Sequence, residues 1–341
     1  SRGLGDVYKR QCWRRPSAIR CPSPCIWGLI LIKVRNEPKG YHMLAYSPVD
    51  AAAIPALRER LAHQPYRSCD YTAGVIYMWR DYFSTEYALC GDTLYIRMRY
   101  PDGQVYHLFP CGSEAPALSL SRIAPEADGS LRFATVPPEA LDALRACYGQ
   151  EINCQPQRQW ADYLYPREQL STYAGRRLAG QRNHVNRFLK DHGSFIYEIV
   201  DPAHMDDIRA FLVDNESALQ KSDPLAQAEF GYTLDTLAHA EALGMYCGLL
   251  RLPEGRAVGV SLGTAVGDTL YVHIEKALHE VAGASQLLCR EYAAHAPQSV
   301  VYLNREDDMG DEGLRAAKQA LHPSEMIEKY TVIARTGGNQ P

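Results

Sequence analysis

Residues 304–318 contain a high concentration of side chains capable of chemistry. Eight of these fifteen residues are charged, with both signs mixed and two glycines between them. A short apolar run at 300–303 predicts a strand before them, and a helix-like stretch begins at Leu314. Polar groups that follow a strand lie at the carboxyl edge of its sheet, where open α/β sheets commonly bind ligands. A solvated loop before a well-formed helix start is the alternative. The candidate ligand contacts are Asn304, Arg305, Glu306, Arg315 and Lys318.

A second group lies on the strand predicted over residues 269–277. Alternation along a strand predicts one set of side chains on a common face: Tyr271, His273 and Glu275. A strand covered on both sides is almost continuously apolar, so His273 and Glu275 predict a face that is open to a cleft. Glu275 is our candidate general base, or the group that orients a water acting as one. The alternative is a structural ion pair with the neighbours of Lys276 or with Arg305. Lys276, on the other face, is expected to bind a donor phosphate or to cap the acidic loop.

We expect these two groups to converge on one pocket, because neighbouring strands that end in polar residues share a sheet edge. Arg305 would hold an anionic group or Glu306, and Glu275 would accept the proton of an amine. A Mg²⁺ or Ca²⁺ site formed by the carboxylates at 275, 306, 307 and 308 is a weaker alternative. The basic residues nearby can neutralise those acids directly, so no metal is predicted.

Residues 175–190 form a basic stretch, with no acid between Glu168 and Asp191. Helical spacing places several apolar residues on one face and several basic residues opposite. One interpretation is a surface that binds the phosphates of tRNA, of a nucleotide-activated donor or of an anionic head group. The other is a solvated basic face. The candidate contacts are Arg176, Arg182, Asn183, His184 and Asn186.

The elements that must position these groups fall into two predicted α/β units. In the first, residues 43–150, a helix precedes strands over 86–90, 93–100 and 104–110, joined by turns that favour antiparallel hairpins. In the second, residues 155–335, helices precede strands over 245–251, 258–266 and 269–277, and a helix over 283–294, a strand and a last helix follow. The string Gly-Asp-Thr-Leu-Tyr occurs at 91–95 and at 267–271, which is compatible with tandem units. Residues 1–42 lack periodicity and are interpreted as a non-native or disordered leader.

Four segments of the second unit resemble the family named after the C-terminal domain of phosphatidylglycerol lysyltransferases. They are Tyr165-Pro166-Arg167-Glu168-Gln169-Leu170, residues 175–188 with the core Arg182-Asn183-His184-Val185-Asn186, His273-Ile274-Glu275-Lys276-Ala277, and residues 304–318 with His322-Pro323. The resemblance implies a tandem acetyltransferase-like (GNAT) fold, related to the Fem-type aminoacyl transferases. In such a fold each unit is a mixed, mostly antiparallel sheet flanked by helices, so the expected class is α/β (α+β).

The resemblance also implies a function, which is transfer of an acyl or aminoacyl group to an amine or hydroxyl. The donor would be an activated, phosphate-containing molecule such as acyl-CoA or aminoacyl-tRNA. In this fold the backbone after the central strand holds donor phosphates, which makes Gly283, at the start of the next helix, a candidate donor contact. The familiar glycine-rich loop for acetyl-CoA is not intact here, so no firm cofactor is predicted. A non-catalytic binding protein that keeps the fold is the alternative.

The composition limits the classes of protein and partner. The 341 residues, 46% hydrophobic and 22% charged, are typical of a globular protein of about two domains. A net charge of −4 gives no overall attraction to nucleic acid or an anionic membrane, so such contacts must rest on a local patch. The apolar run at 26–32 is shorter than the ~20 residues of a membrane helix, so no integral membrane segment is predicted, although peripheral contact remains open. Outside the leader the cysteines have no metal-ligand spacing, and we interpret them as reduced thiols of a cytoplasmic protein.

Overall fold

A computed structural model describes residues 44–149, 152–218 and 224–335, so the predicted leader, residues 1–42, lies outside the described residues. In chain order the strands are β1 (Ser47–Pro48), β2 (Glu86–Cys90), β3 (Thr93–Arg99), β4 (Val105–His107), β5 (Ser130–Val136), β6 (Asn153–Pro156), β7 (Asp162–Pro166), β8 (Ile196–Val200), β9 (Met245–Arg251), β10 (Ala257–Val266), β11 (Thr269–Ala277), β12 (Tyr302–Asn304), β13 (Glu325–Ile327) and β14 (Tyr330–Arg335). The helices are α1 (Ile54–Leu61), α2 (Ala73–Met78), α3 (Pro116–Ile123), α4 (Pro138–Tyr148), α5 (Arg167–Thr172), α6 (Ala179–His192), α7 (Asp206–Ala218), α8 (Pro224–Ala238), α9 (Ala240–Leu243), α10 (Ala284–His295) and α11 (Glu312–Gln319).

Local sequence signals account for several of these boundaries. The hairpins β2–β3 and β10–β11 turn at Gly91 and Gly267, whose φ angles of +61° and +58° favour glycine. Helix α11 begins after Asp311, which accepts a hydrogen bond from the Leu314 N–H at 2.7 Å and so caps the helix. The predicted helix after the charged loop is therefore confirmed.

The strands form two seven-stranded sheets. The first sheet has the order β1-β2-β3-β4-β5-β14-β6, and the second has the order β8-β9-β10-β11-β12-β7-β13. Each sheet is antiparallel except for one parallel pair, β4 with β5 in the first sheet and β11 with β12 in the second. With helices packed against both sheets, the predicted mixed α/β class with mostly antiparallel sheets is confirmed.

The two sheets have matching strand directions and exchange one strand each. After β6 the chain leaves the first sheet and contributes β7 to the second, beside β12 and β13. After β13 the chain leaves the second sheet and contributes β14 to the first, between β5 and β6. The first sheet therefore contains strands from both predicted units.

Hydrophobic residues pack in two cores on opposite faces of the second sheet. The first core joins the first sheet and α1 to one face of the second sheet, and its fully buried members include Ile54, Phe133 and Leu262. The second core lies between the other face of the second sheet and α5, α6 and α10. The two faces of β11 consequently meet different surroundings.

A β-bulge at His273 interrupts the alternation along β11. The register with β10 shifts between Leu262 and Gly263, which leaves His273 as an extra residue on β11. Ile274 is buried in the first core, and Glu275 lies on the opposite face. The prediction that His273 and Glu275 share a face is therefore wrong, because alternation holds only along an unbroken pleat.

Candidate active site

The candidate residues lie where β11 and β12 separate. The two strands pair in parallel as far as Tyr271 and Asn304. Beyond this point the chain after β12 remains bonded to β7, and the Arg305 N–H donates to the Tyr163 carbonyl at 2.9 Å. The chain therefore diverges from β11 here, and charged side chains cross the opening.

On the first-core face, His273 connects β11 with Glu306. Its Nδ1 lies 2.7 Å from Glu306 Oε1, and its Nε2 lies 2.8 Å from the hydroxyl of Thr264 on β10. Because an ionised carboxylate only accepts, the imidazole tautomer that satisfies both partners donates from Nδ1 to Glu306 and accepts at Nε2 from Thr264. The His273 side chain is 1% exposed and that of Glu306 is 22% exposed, so the carboxylate is the accessible member of the pair.

On the second-core face, Glu275 forms an ion pair with Arg305. The Arg305 Nη2 donates to Glu275 Oε1, and the two side chains are only 15% and 11% exposed. Burial raises the pKa of the Glu275 carboxyl, while the positive charges of Arg305 and Lys318 oppose that rise. The buried Nε of Arg305 has no hydrogen-bond partner among the described residues.

The expected single pocket is therefore divided between the two faces of the sheet. Glu275 and Arg305 meet as expected, but Glu306 turns to the opposite face and contacts His273. The expectation of an open face on β11 is wrong, because the side chains of both His273 and Glu275 are largely enclosed. The bulge places His273 and Glu275 on opposite faces of β11, and Glu306 and Arg305 each pair with one of them.

Hydrogen bonds fix the backbone that carries Arg305 and Glu306. Fully buried Asn304 donates from Nδ2 to the Arg67 carbonyl at 2.8 Å and to Asp162 Oδ2 at 2.9 Å. Its Oδ1 accepts the Glu306 N–H at 2.7 Å. Glu306 adopts a φ of +56°, an unusual conformation for a residue with a side chain, so these bonds stabilise a strained turn. Asn304 is thus a positioning residue.

Arg315 and Lys318 also hold this loop. Arg315 binds both oxygens of buried Asp308, at 2.9 and 2.8 Å. Burial alone would raise the pKa of Asp308, but hydrogen bonds from Arg315 and from the Tyr163 hydroxyl hold it well below its usual range. Lys318, itself buried, donates from Nζ to the carbonyl of Arg305 at 2.6 Å and to that of Asp307. The basic side chains of α11 therefore stabilise the loop that precedes the helix.

A buried polar cluster near the opening was not predicted from the sequence. Lys329 is 1% exposed, and its Nζ lies 2.6 Å from Asp162 Oδ1 and 2.5 Å from Asp70 Oδ2. The same Nζ lies 3.3 Å from the Cys69 sulfur. Along the chain Lys329 is 167 residues from Asp162 and 260 residues from Cys69. Only the isolated lysine before an apolar strand was available as a sequence signal.

Within the described ranges, the side chains that could hold a metal ion belong to this same cluster. The ligating atoms of Cys69, Asp162 and Asp307 lie within 4.8 Å of one another. Lys329 contacts two of the three, so an ammonium group already supplies positive charge there. Of the four carboxylates suggested from sequence as a metal set, Asp307 lies in this cluster. The other three, Glu275, Glu306 and Asp308, have separate partners in Arg305, His273 and Arg315.

The residues of the basic stretch lie on or just before α6. Four of the five candidates are exposed: Arg176, Asn183, His184 and Asn186. The fifth, Arg182, donates to the carbonyl of Tyr173 and to that of Gly175 at 2.6 Å. Arg182 therefore fixes the turn before the helix.

The candidates beside the central strand have less accessible positions. Gly283 begins α10 with a φ of +85°, and a side chain there would clash with the backbone carbonyl of His184 on α6. The glycine is thus required for the contact between the two helices. Lys276 is half-buried opposite Val260 of β10, on the face that carries the first core.

The sequence profile of one known family matches most of the chain. The family, described as "Phosphatidylglycerol lysyltransferase, C-terminal", matches residues 62–333. This chain belongs to that family. The resemblance inferred from four segments is thereby confirmed. Among curated proteins, no sequence matches the chain significantly.

Several solved structures share this fold. A conserved protein of unknown function from Bacteroides thetaiotaomicron has 26% identity and a TM-score of 0.78, and the match covers 86% of this chain and 100% of that one. L-PGS from Bacillus licheniformis has 14% identity and a TM-score of 0.58, with coverage of 85% and 93%. FemX has 12% identity and a TM-score of 0.53, with coverage of 86% and 98%. At identities of 14% and 12%, the similarities to L-PGS and to FemX show a shared fold alone. Among the described residues, no helix has the length and apolar character needed to cross a membrane.

Proposed function

We propose that this protein transfers an acyl or aminoacyl group from an activated, phosphate-containing donor to an amine or hydroxyl acceptor. The donor would be aminoacyl-tRNA or acyl-CoA. The observation that carries the proposal is the His273–Glu306 pair at the opening between β11 and β12, in which an imidazole aligns a partly exposed carboxylate. Family membership and the likeness in fold to FemX support the same class of reaction.

The chemistry requires one group that both accepts and returns a proton. The acceptor nitrogen forms a bond to the donor carbonyl carbon, and the C–O bond of an aminoacyl ester or the C–S bond of a thioester breaks. The nitrogen loses a proton and the leaving oxygen or sulfur gains one, so a single positioned carboxylate can serve both steps. We assign this role to Glu306, because His273 holds one of its oxygens and the other has no hydrogen bond within the described ranges.

Glu275 is the competing candidate, and its surroundings favour a supporting role. Burial raises the pKa of its carboxyl, and the carboxylate is engaged in an ion pair with Arg305, a permanent positive charge that opposes that rise. The pair is also enclosed on the second-core face, away from His273. We propose that Glu275 and Arg305 maintain the separation of the strands, while Glu306 acts on the acceptor.

Transfer assays with matched variants test this assignment. Purified protein is incubated with labelled aminoacyl-tRNAs and acyl-CoAs and with primary-amine and hydroxyl acceptors. We expect Glu306→Gln to lower the transfer rate by about 10²- to 10⁴-fold, the usual contribution of a positioned acid–base group, with the melting temperature little changed. Glu275→Gln is the control and should reduce the rate much less. The reverse ranking would assign the proton to Glu275 and contradict our choice.

One observation favours a non-catalytic binding protein as the second candidate. Both acid groups at the opening are already engaged, and the His273 ring is almost completely enclosed. A protein that binds donor-like ligands but transfers no group in any of these assays would match that alternative and contradict the transferase proposal.

A further inference from the structure

A cleft of about 810 Å³ opens between the loop before α6 and the segment after α11. Its lining includes Gln169, Gly175, Arg176, Arg177 and His322. These residues come from three of the four segments that carry the family resemblance, although they are far apart in the chain. The volume is within the range of about 300–1,000 Å³ that is usual for small-ligand sites.

The charge of the cleft is positive. Its lining includes two arginines and a histidine and no acidic side chain. Arg176 and Arg177 are exposed, and neither side chain has an ion-pair partner in the part of the chain that the structure describes. Arg187, further along α6, instead pairs with Asp191 at 3.6 Å. Unpaired guanidinium groups at a concave surface favour an anionic ligand, above all a phosphate.

Both walls of the cleft are fixed by hydrogen bonds. Arg182 donates to the carbonyls of Tyr173 and Gly175, which holds the loop that carries the two arginines. On the other side, Gln169 Nε2 donates to the carbonyls of Leu321 and His322 at 2.7 and 2.8 Å. The arginines therefore extend from an ordered backbone, which reduces the entropy cost of binding.

We propose that this cleft binds the phosphate-bearing nucleotide end of the donor. The inference rests on the proposed transferase function and names the place of one substrate. The fold predicts that donor phosphates bind at the start of α10. There, however, Gly283 packs against the backbone of α6. Two sources share this chemistry, the 3′ end of a tRNA and the adenine nucleotide of coenzyme A.

Charge reversal with a matched control tests the site. The double variant Arg176→Glu/Arg177→Glu is compared with Arg187→Glu/Lys190→Glu, which changes the same net charge on exposed residues of α6 outside the cleft. Binding of deacylated tRNA and of free coenzyme A is measured over a range of salt concentrations. We expect the first variant to bind at least about tenfold more weakly and the control to resemble the wild type. For tRNA, loss of two phosphate contacts should reduce the salt slope by roughly 1.4 to 1.8, at about 0.7 to 0.9 per contact.

The outcomes separate the two sources and the two proposals. Loss of tRNA binding alone identifies the tRNA end, and loss of coenzyme A binding alone identifies the smaller nucleotide. Equal binding by both double variants, or no binding of either ligand by the wild type, would overturn the cleft as the donor site. Glu306→Gln should bind the donor normally, so a failure of the catalytic assignment leaves this result unchanged.

Discussion

At the scale of single residues, Asp307 lies in an enclosed site among charged groups of both signs. Burial raises its pKa to about 7, and the negative charges of Asp162 and Asp70 add to that rise. The positive charges of Lys329 and Lys318 oppose it. Because Asp307 is next to Glu306, its protonation state is coupled to the loop that carries the proposed catalytic carboxylate.

This shift predicts a measurable pH dependence of stability. Between about pH 4, near the pKa of an unperturbed Asp, and pH 7, the unfolded chain releases the Asp307 proton while the folded protein retains it. The free energy of unfolding should therefore fall as pH rises through this range, by at most about 1.4 kcal/mol per unit from this group. Asp307→Asn removes the effect but keeps the oxygen that accepts the Met309 N–H.

Denaturant unfolding of both proteins at intervals from pH 4 to 8 checks this prediction. The difference between wild type and Asp307→Asn should decline toward pH 7 and then stay constant. Other groups titrate in both proteins and cancel in the difference. Curves that remain parallel over the whole range would show that Asp307 has an ordinary pKa.

At the scale of elements, helix α2 approaches β11 so closely that a glycine is required at position 74. A Cβ atom there would lie 2.5 Å from His273 Nε2, the atom that accepts from Thr264. The helix thus forms the back of the imidazole site, and β11 presents the ring through its bulge. The orientation of the Glu306 carboxylate depends on this contact.

Gly74→Ala should displace the imidazole from its two partners. We expect destabilisation of ~1–3 kcal/mol, as for other overpacked sites, and at least about a tenfold loss of transfer. Gly180→Ala in α6 is the matched control, because no atom lies within 4 Å of its added methyl group. That control should gain ~0.5–1 kcal/mol from helix propensity and keep its activity. Normal transfer by a stable Gly74→Ala protein would exclude a role for the His273 position.

Elements with short-range signals were predictable from the sequence. The strands at Glu86–Cys90 and Thr269–Ala277 and the cap at Asp311 follow from alternation, turn residues and helix-start residues. The bulge was not predictable, because no glycine or proline marks His273. The repeated Gly-Asp-Thr-Leu-Tyr string proved to be a turn signal only, since its copies join β2 to β3 and β10 to β11, which are not equivalent hairpins in the two sheets.

The contacts of charged residues required the folded chain. Nothing in the sequence separates Arg182, which holds the backbone of its own loop, from Arg176, which has no ion-pair partner in the described ranges. The contact between Lys329 and Asp162 forms because the chain passes from one sheet to the other twice, once before β7 and once before β14. Long-range pairing of this kind has no local pattern, so composition and spacing could suggest charges but not their partners.

At the scale of the whole molecule, the exchange of β7 and β14 joins the two sheets. Asp162 is the first residue of β7 and Lys329 immediately precedes β14, so their buried ion pair connects the two crossings. The first core adds a second connection, because it contains residues from both sheets. Breaking one sheet therefore removes partners from the other, and we expect a single cooperative unfolding transition.

Separate expression of the two predicted units tests this expectation. A fragment of residues 43–150 lacks β14 and β6, which leaves β5 as an unpaired sheet edge. A fragment of residues 155–335 keeps β14 without β5 beside it. We expect neither fragment alone to unfold cooperatively when heated, whereas coexpression should yield a complex with a sharp transition, and the intact chain from residue 43 serves as the control. A cooperative transition of fragment 43–150 alone would mean that its five strands suffice, and that the exchanged strands join two units that fold independently.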